Sequence, residues 1–274
     1  MKKAYVRWIL AIIITVSAAI YQRLTGPTYP LTGRILTDNG EINYTLKRSH
    51  GGEGDHFVEI MIPDTACNAQ LIYKRYKTDD EWTKKQMWRD GNFLRGQLPH
   101  QPPAGKLEYY IKIEKKEQQW LAPADKTVIT RFKGAVPVSV LLPHALLMFI
   151  AMFLSNLTAL EALAKTKAVF IFSLLTTFFL LIGGMILGPI VQNYAFGEYW
   201  TGIPHGWDLT DNKTLFGFIA WLIALFVVWK YEAKAFSRWM AVIAAIILLA
   251  VFSIPHSTMG SEFDYTKMEV VTGD

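Results

Sequence analysis

Residues 168–191 read AVFIFSLLTTFFLLIGGMILGPIV, without a single charged side chain. At about 1.5 Å of rise per residue, a helix of this length crosses the roughly 30 Å hydrocarbon layer of a membrane. Similar apolar segments occupy residues 142–160, 215–229 and 239–254. The pattern predicts a C-terminal bundle of four transmembrane helices within residues 137–256.

The N-terminus has the composition of an export segment. Two lysines and an arginine precede an apolar run at residues 8–20, which is typical of a signal peptide. The small residues at 17–19 offer a peptidase site, whereas the run equally suits an uncleaved anchor. Residues 1–24 are therefore predicted to be either a signal peptide or a transmembrane anchor, and in both cases the following domain is exported.

Residues 25–136 hold most of the charge, and their apolar residues alternate with polar ones at a period of two, as in β-strands. Asn39-Gly40 and Asp90-Gly91 lie between strand-like runs and are typical hairpin turns. The spacing of the strands is similar to that of an immunoglobulin-like or fibronectin-III-like sandwich, with a small barrel as the alternative. The fold class is thus an α+β membrane protein with an all-β domain between its anchor and its helical bundle.

Several classes of function lack support in the sequence. The net charge is +5, but the basic residues are scattered instead of forming a stripe, which argues against a nucleic-acid partner. Cys67 is the only cysteine, so no disulfide forms within the chain. No Walker loop, dinucleotide fingerprint or nucleophile elbow occurs. Whether the protein is an enzyme stays open.

Lysine and arginine in the short loops predict the orientation of the helices. They fall in every second gap between the apolar segments, and such gaps face the cytoplasm. The basic residues concerned are Lys2, Lys3, Arg7, Lys165, Lys167, Lys230, Lys234 and Arg238. The β domain, the loop at 192–214 and the tail at 257–274 are then extracytoplasmic. We expect a multi-pass protein of a plasma membrane, with the bacterial inner membrane as its lipid partner.

Three histidines share the outer face in this topology, namely His144, His205 and His256. Neutral imidazole is the commonest metal ligand, and Asp208 and Glu262 add carboxylates that either ligate or orient a histidine. The convergence predicts a candidate site for a transition metal or haem. The alternative is that these histidines rest in the headgroup region without a ligand.

The outer loop is rich in turn-forming and hydrogen-bonding residues, more so than a simple connector requires. One of Asp211 and Asn212 is expected to cap a helix that begins near Leu215. The predicted binding loop consists of Trp207, Asp208, Thr210, Asp211 and Asn212.

Three smaller patterns have plain structural interpretations. Glu161, close to Lys165 and Lys167, is interpreted as part of an interfacial ion pair. Gly184 and Gly188 form a small-xxx-small pair that allows close helix packing. The glycine-rich stretch 50–56, with a histidine at each end, is interpreted as a solvated loop.

Two functions fit these features. The favoured hypothesis is a non-catalytic binding, sensing or assembly protein, in which the exported β domain binds a protein, peptide or glycan and the helices contact a membrane partner. The alternative is a membrane redox or metal-handling protein built on His144, His205 and His256. The first requires fewer coincidences.

Overall fold

In the computed structural model, the protein consists of a β-rich region followed by several apolar helices. The structure describes residues 2–38, 40–231, 234–255 and 260–272. The chain divides into two compact units: a helical unit of 1–27, 136–261 and 272–274, and a β unit of 28–135 and 262–271. Residues 262–271, which the sequence predicts to be part of a separate C-terminal tail, therefore belong to the β unit.

The helical unit contains six α-helices and one π-helical segment among the described residues. These are α1 (Lys2–Thr25), α2 (Val138–Leu163), α3 (Val169–Leu180), the π segment (Leu181–Leu187), α4 (Gly188–Phe196), α5 (Leu209–Lys230) and α6 (Ala235–Ser253). Within the described chain, five helical spans are long and apolar enough to cross a membrane, with α3, the π segment and α4 forming one of them. Their length and composition indicate a membrane protein.

The fourth of these spans begins earlier than the apolar run alone predicts. Helix α5 starts at Leu209 instead of near Leu215, and its N-cap is Asp208, not Asp211 or Asn212. The Asp208 Oδ1 atom accepts hydrogen bonds from the backbone N–H groups of Thr210 at 2.8 Å and Asp211 at 3.4 Å. A capped polar first turn therefore extends the helix beyond its hydrophobic part.

Small residues let the helices approach one another closely. The buried core of the helical unit combines Trp221 with alanines from three helices. A Cβ atom built on Gly183 would lie 2.9 Å from the Leu147 Cβ, and one built on Gly184 would lie 2.8 Å from the Thr214 Cγ2. The tight contacts thus fall at Gly183 and Gly184, whereas the nearest atoms to such a Cβ on Gly188 are 3.9 Å away.

The described residues of the chain form thirteen short strands. Their bounds are β1 (Leu31–Thr37), β2 (Gly40–Leu46), β3 (Ser49–Gly51), β4 (His56–Met61), β5 (Asn68–Arg75), β6 (Thr83–Gln86), β7 (Trp88–Asp90), β8 (Phe93–Leu98), β9 (Lys106–Lys115), β10 (Gln118–Ala122), β11 (Val128–Lys133), β12 (Ser261–Asp264) and β13 (Glu269–Thr272). The largest sheet has the order β3-β11-β9-β5-β6, with β10 also paired to β9. A three-stranded sheet has the order β4-β8-β7, and β1 pairs with β2.

The period-two pattern predicted for the strands is confirmed most clearly in β9. Leu107, Tyr109, Ile111 and Ile113 are each at most 1% exposed, whereas the residues between them are half-buried. These side chains join residues from β1, β2, β4, β5, β8 and β11 in one apolar core. The predicted turn at Asp90-Gly91 is present, with β7 and β8 antiparallel and a positive φ of 57° at Gly91. Asn39, of the other predicted turn, lies outside the described residues.

The last two strands belong to the β unit through several hydrogen bonds. The Phe263 N–H donates to the Ala104 carbonyl at 3.2 Å. The Tyr265 hydroxyl accepts from the Lys106 N–H at 3.1 Å and lies 2.9 Å from the Gln101 Oε1, to which it donates. Residues on both sides of the helical segment 136–261 therefore build the same β unit.

Candidate functional site

Asp208 joins the start of α5 to the residues that follow α6. Its Oδ1 caps α5, and its Oδ2 accepts hydrogen bonds from the Ser261 N–H at 2.8 Å and the Ser261 hydroxyl at 3.0 Å. The residue is only 4% exposed. Because neutral donors from two segments surround this carboxylate, its negative charge is stabilised where it is buried.

Asp211 and Asn212 hold the preceding loop in a similar way. The Asp211 Oδ2 accepts from the Thr201 N–H at 2.7 Å, and the Asn212 Oδ1 accepts from the Ile203 N–H at 2.8 Å. The Gln192 amide donates to the Thr201 hydroxyl at 2.7 Å. We call this set the loop network; its members are Gln192, Thr201, Asp208, Asp211, Asn212 and Ser261.

Lys213 follows the loop network and is 3% exposed. Its Nζ donates to the carbonyl of Ile254 at 2.7 Å, just past the last turn of α6. A cation at this position interacts favourably with the carbonyl end of a helix. Asp208 and Lys213 thus connect the start of α5 to the end of α6 and the residues that follow it.

The structure gives the residues of the predicted binding loop different surroundings. Asp208, Asp211 and Asn212 are buried and hydrogen-bonded within the loop network, and the Thr210 N–H and carbonyl take part in the first turn of α5. Trp207 is 75% exposed. Of this set, only Trp207 presents a large side chain at the surface.

His144 lies on α2 opposite the π segment. Its Nδ1 is 2.9 Å from the Gly183 carbonyl oxygen, which also accepts the N–H of Gly188. Because a carbonyl only accepts, the proton of a neutral His144 is on Nδ1 and its Nε2 carries a lone pair. Metal-binding histidines are commonly oriented by such a bond to a backbone carbonyl.

The other members of the predicted metal set do not join His144 in a described site. His205 is exposed, and Glu262 forms ion pairs with Lys106 at 3.0 Å and Lys77 at 3.4 Å in the β unit. His256 lies outside the described residues. Within the described ranges, no three His, Cys, Asp or Glu side chains are grouped to hold a metal ion. The metal site stays a prediction that depends on His144 and His256.

Glu161 pairs with a residue that the sequence analysis does not connect to it. Its Oε1 accepts from the Arg7 Nε at 2.8 Å, and its Oε2 accepts from the Thr166 hydroxyl at 2.6 Å. Five residues before it, Asn156 donates to the Thr15 hydroxyl at 3.0 Å. The signal for these pairs was the presence of polar residues inside two apolar runs, at Thr15 and Asn156, and at their edges, at Arg7 and Glu161. Nothing in the sequence matched one run with the other.

A histidine cluster in the β unit was also missed. His50 Nε2 and His100 Nδ1 both donate to the Gly54 carbonyl, at 3.1 and 3.0 Å, and both rings pack edge-on against Phe132. His56 is 2% exposed, with its ring centroid 5.1 Å from that of His50. The interpretation of 50–56 as a solvated loop is therefore wrong for His56, because β4 begins there and turns its side chain inward.

Burial perturbs the titration of this histidine. Desolvation, followed by the proximity of His50 and Lys47, lowers the pKa of His56 to about 4. Its buried Nε2 has no hydrogen-bond partner among the residues that the structure describes. His56 is therefore a neutral packing residue at physiological pH.

The three-stranded sheet carries exposed aromatic residues on one face. Alternation along β4 turns Phe57 and Met61 outward, at 56% and 53% exposure, and the adjacent Trp88 of β7 is 42% exposed. The rings of Phe57 and Trp88 have centroids 6.4 Å apart. Together with Phe93 and Arg95 of β8, these residues form what we call the aromatic face.

Arg95 occupies the middle strand of this face. Its Nε donates to Glu59 at 3.1 Å, its guanidinium also pairs with Asp90, and the same group lies 5.6 Å from the centre of the Phe93 ring. These contacts hold a long side chain in one position between two strands. The face therefore combines exposed apolar side chains with a charged group that its neighbours hold in place.

No protein-family model matches the chain, and no curated protein matches it significantly. Local geometry is therefore the guide to its function. Three arrangements bear on it: the loop network, His144 beside the π segment, and the aromatic face.

Proposed function

We propose that the protein is a non-catalytic binding or assembly protein of a plasma membrane, whose β unit holds an extracytoplasmic protein partner. The observation that supports this function is the aromatic face. Phe, Trp, Met and Arg are the residue types enriched at protein–protein interfaces. Residues of this kind also carry most of the binding energy where they cluster.

The geometry of the face favours a protein over a glycan as the partner. The rings of Phe57 and Trp88 are inclined at 79° to each other, so they offer no flat platform on which a sugar ring would stack. Arg95 is already held by Glu59 and Asp90, which reduces the side-chain entropy lost on binding. All of these residues lie on strands, which present them rigidly.

The proposal places the β unit outside the cytoplasm as an immunoglobulin-like or fibronectin-III-like sandwich. The distribution of lysine and arginine supports the orientation, and the single core shared by the strands supports a sandwich. Of five candidate spans, the first precedes residue 28, so four lie between residues 135 and 262. An even number of crossings returns the chain to the same side, as required for 262–271 to belong to the β unit.

Photocrosslinking in intact membranes tests the proposed function. A photoreactive residue replaces Phe57 or Trp88 in turn, and one at Trp82 is the matched control, because Trp82 is 37% exposed but packs on Tyr110 of the other sheet. We expect one discrete protein adduct from positions 57 and 88, lost in an Arg95→Ala background, and none from position 82. The same adducts from all three positions, or none at 57 and 88, would contradict the proposal.

A metal or haem site at the outer face is the second candidate function, and the hydrogen bond from His144 to Gly183 favours it. That bond directs a free Nε2 lone pair, as a ligand requires. Metal content and the visible spectrum of detergent-purified protein, compared with a His144→Ala, His256→Ala double variant, test this site. A metal-free and colourless wild type would remove this candidate.

A further inference from the structure

Helix α1 makes polar contacts at three levels along its length. Near its start, the Arg7 guanidinium is 2.8 Å from the Glu161 carboxylate of α2. The Thr15 hydroxyl accepts from Asn156 of α2 at 3.0 Å, and the Gln22 amide donates to the Phe252 carbonyl of α6 at 2.5 Å. Residues 7, 15 and 22 are about two helical turns apart, so they share one face of α1.

The same face of α1 is its buried face. Ala11 is 0% exposed and Thr15 is 5% exposed, whereas Ile12 and Ile13 are 50% and 54% exposed. Beside this face, Trp8 packs against Phe153 and Phe172, with ring centroids 5.5 and 6.2 Å apart. Helix α1 thus turns polar groups toward the other helices and apolar groups away from them, as expected of a helix within a membrane bundle.

The partners of α1 would be costly to leave without it. The Glu161 side chain is 5% exposed and Asn156 is 5% exposed, and both lie within an apolar span. Without α1, Glu161 would lose its cation and Asn156 would lose the Thr15 hydroxyl. A carboxylate or amide facing hydrocarbon is strongly unfavourable unless it is paired.

We propose that α1 is a resident transmembrane helix of the mature protein, retained instead of removed by a signal peptidase, and docked on α2 and α6 through Arg7, Thr15 and Gln22. The small residues at 17–19 that resemble a peptidase site lie inside the continuous helix Lys2–Thr25. Proteases cut preferentially at exposed, irregular backbone. This inference does not depend on what the β unit binds.

Intact mass and N-terminal sequencing of the full-length protein purified from membranes test the retention of α1. The expected result is a mature chain that still contains residues 8–25. A mature N-terminus between residues 18 and 26 would overturn the proposal.

A second experiment tests the docking itself. A site for a specific protease is inserted between residues 27 and 31, the purified protein is cut in mild detergent, and the fraction of α1 that remains bound to the rest is measured. We expect α1 to stay bound in the wild type. A Glu161→Gln, Asn156→Ala variant should retain roughly tenfold less, because buried polar partners are lost.

Two variants make this result specific. Ile13→Ala changes an exposed residue of α1, so it should retain α1 as the wild type does. Arg7→Glu combined with Glu161→Arg restores opposite charges and should recover much of the binding lost in Arg7→Glu alone. Release of α1 from the wild type, or equal retention in Ile13→Ala and the Glu161→Gln, Asn156→Ala variant, would show that these contacts do not hold α1.

Discussion

The loop network and the aromatic face differ in where their hydrogen bonds and contacts go. Asp208, Asp211 and Asn212 are each at most 5% exposed and accept hydrogen bonds from nearby backbone. Phe57 and Trp88 are largely exposed, although they lie in ordinary strands. A segment rich in polar residues thus has a structural role, whereas a plain alternating strand carries the surface that we propose binds a partner. Substitutions in the loop network should lower the stability of the protein, and those on the aromatic face should lower its affinity for the partner.

The largest effect on stability is expected for Asp208→Ala. This change removes the cap of α5 and the acceptor for both Ser261 donors, which should cost about 3 kcal/mol. Thermal unfolding in detergent measures the loss. Trp207→Ala is the adjacent control, and we expect a change below about 0.5 kcal/mol because Trp207 is exposed. Comparable losses of stability in both variants would mean that Asp208 does not hold the start of α5 to the residues that follow α6.

Acid should destabilise the β unit through His56. Its pKa in the folded protein is about 4 and its ordinary value is about 6.5, so the unfolded chain binds the proton more readily. The stability contributed by neutral His56 is complete above about pH 6.5 and is lost progressively down to about pH 4, by about 2.5 kcal/mol at pH 4.5. Melting temperatures of the full chain between pH 7.5 and 4.5 measure this loss, which His56→Leu should reduce. An unchanged pH profile in His56→Leu would place the acid sensitivity elsewhere.

Tyr265→Phe should have a smaller effect. The substitution keeps the ring and removes the hydroxyl that bonds Gln101 and Lys106, so the expected cost is about 1 kcal/mol. Burial raises the pKa of Tyr265 to about 12, so this hydroxyl stays protonated throughout the physiological range. Faster proteolysis within residues 260–272 should accompany the substitution. Met268→Ala, at a site 68% exposed in the same segment, is the control.

Phe57→Ala and Trp88→Ala should have the smallest effect on stability, below about 0.5 kcal/mol each. Their effect should be on affinity for the proposed partner, which we expect to fall by about thirtyfold for the pair. Binding of the crosslinked partner, once purified, measures the affinity. A loss of stability in these variants as large as that of Asp208→Ala would contradict the distinction between the loop network and the aromatic face.

The sequence predicted those parts of the fold that depend on local periodicity. The uncharged run at 168–191 and the alternation around Tyr109 each have one physical solution, a long apolar helix and a half-buried strand. The start of α5 was not predicted, because Asp208, Asp211 and Asn212 are all good caps. The choice of Asp208 depends on the loop fold, in which Asp211 and Asn212 accept from the backbone of Thr201 and Ile203 instead. Arg7 and Glu161 lie far apart in the sequence, so no local sequence pattern could predict that they pair.

The candidate sites, too, could be predicted only where they depend on the local sequence. Local richness in Asp, Asn, Gly and Trp pointed to the loop at 192–214, but Asp208 also accepts from Ser261, which lies beyond that loop. The cluster of His50, His56 and His100 needs β3, β4 and the residues after β8 to come together. The outward position of Phe57 could be read from its alternation with Val58. Its nearness to Trp88 could not, because that depends on the order β4-β8-β7.

The hydrogen bonds of Phe263 and Tyr265 to Ala104 and Lys106 mean that the β unit can be completed only late in the synthesis of the chain. Because a ribosome makes residues 262–271 after the helical segment 136–261, the β unit is incomplete while the helices of that segment are being made. Its last strands become available only after α6 has been made. A nascent chain that stalls before residue 261 therefore leaves the backbone of Ala104 and Lys106 without these partners.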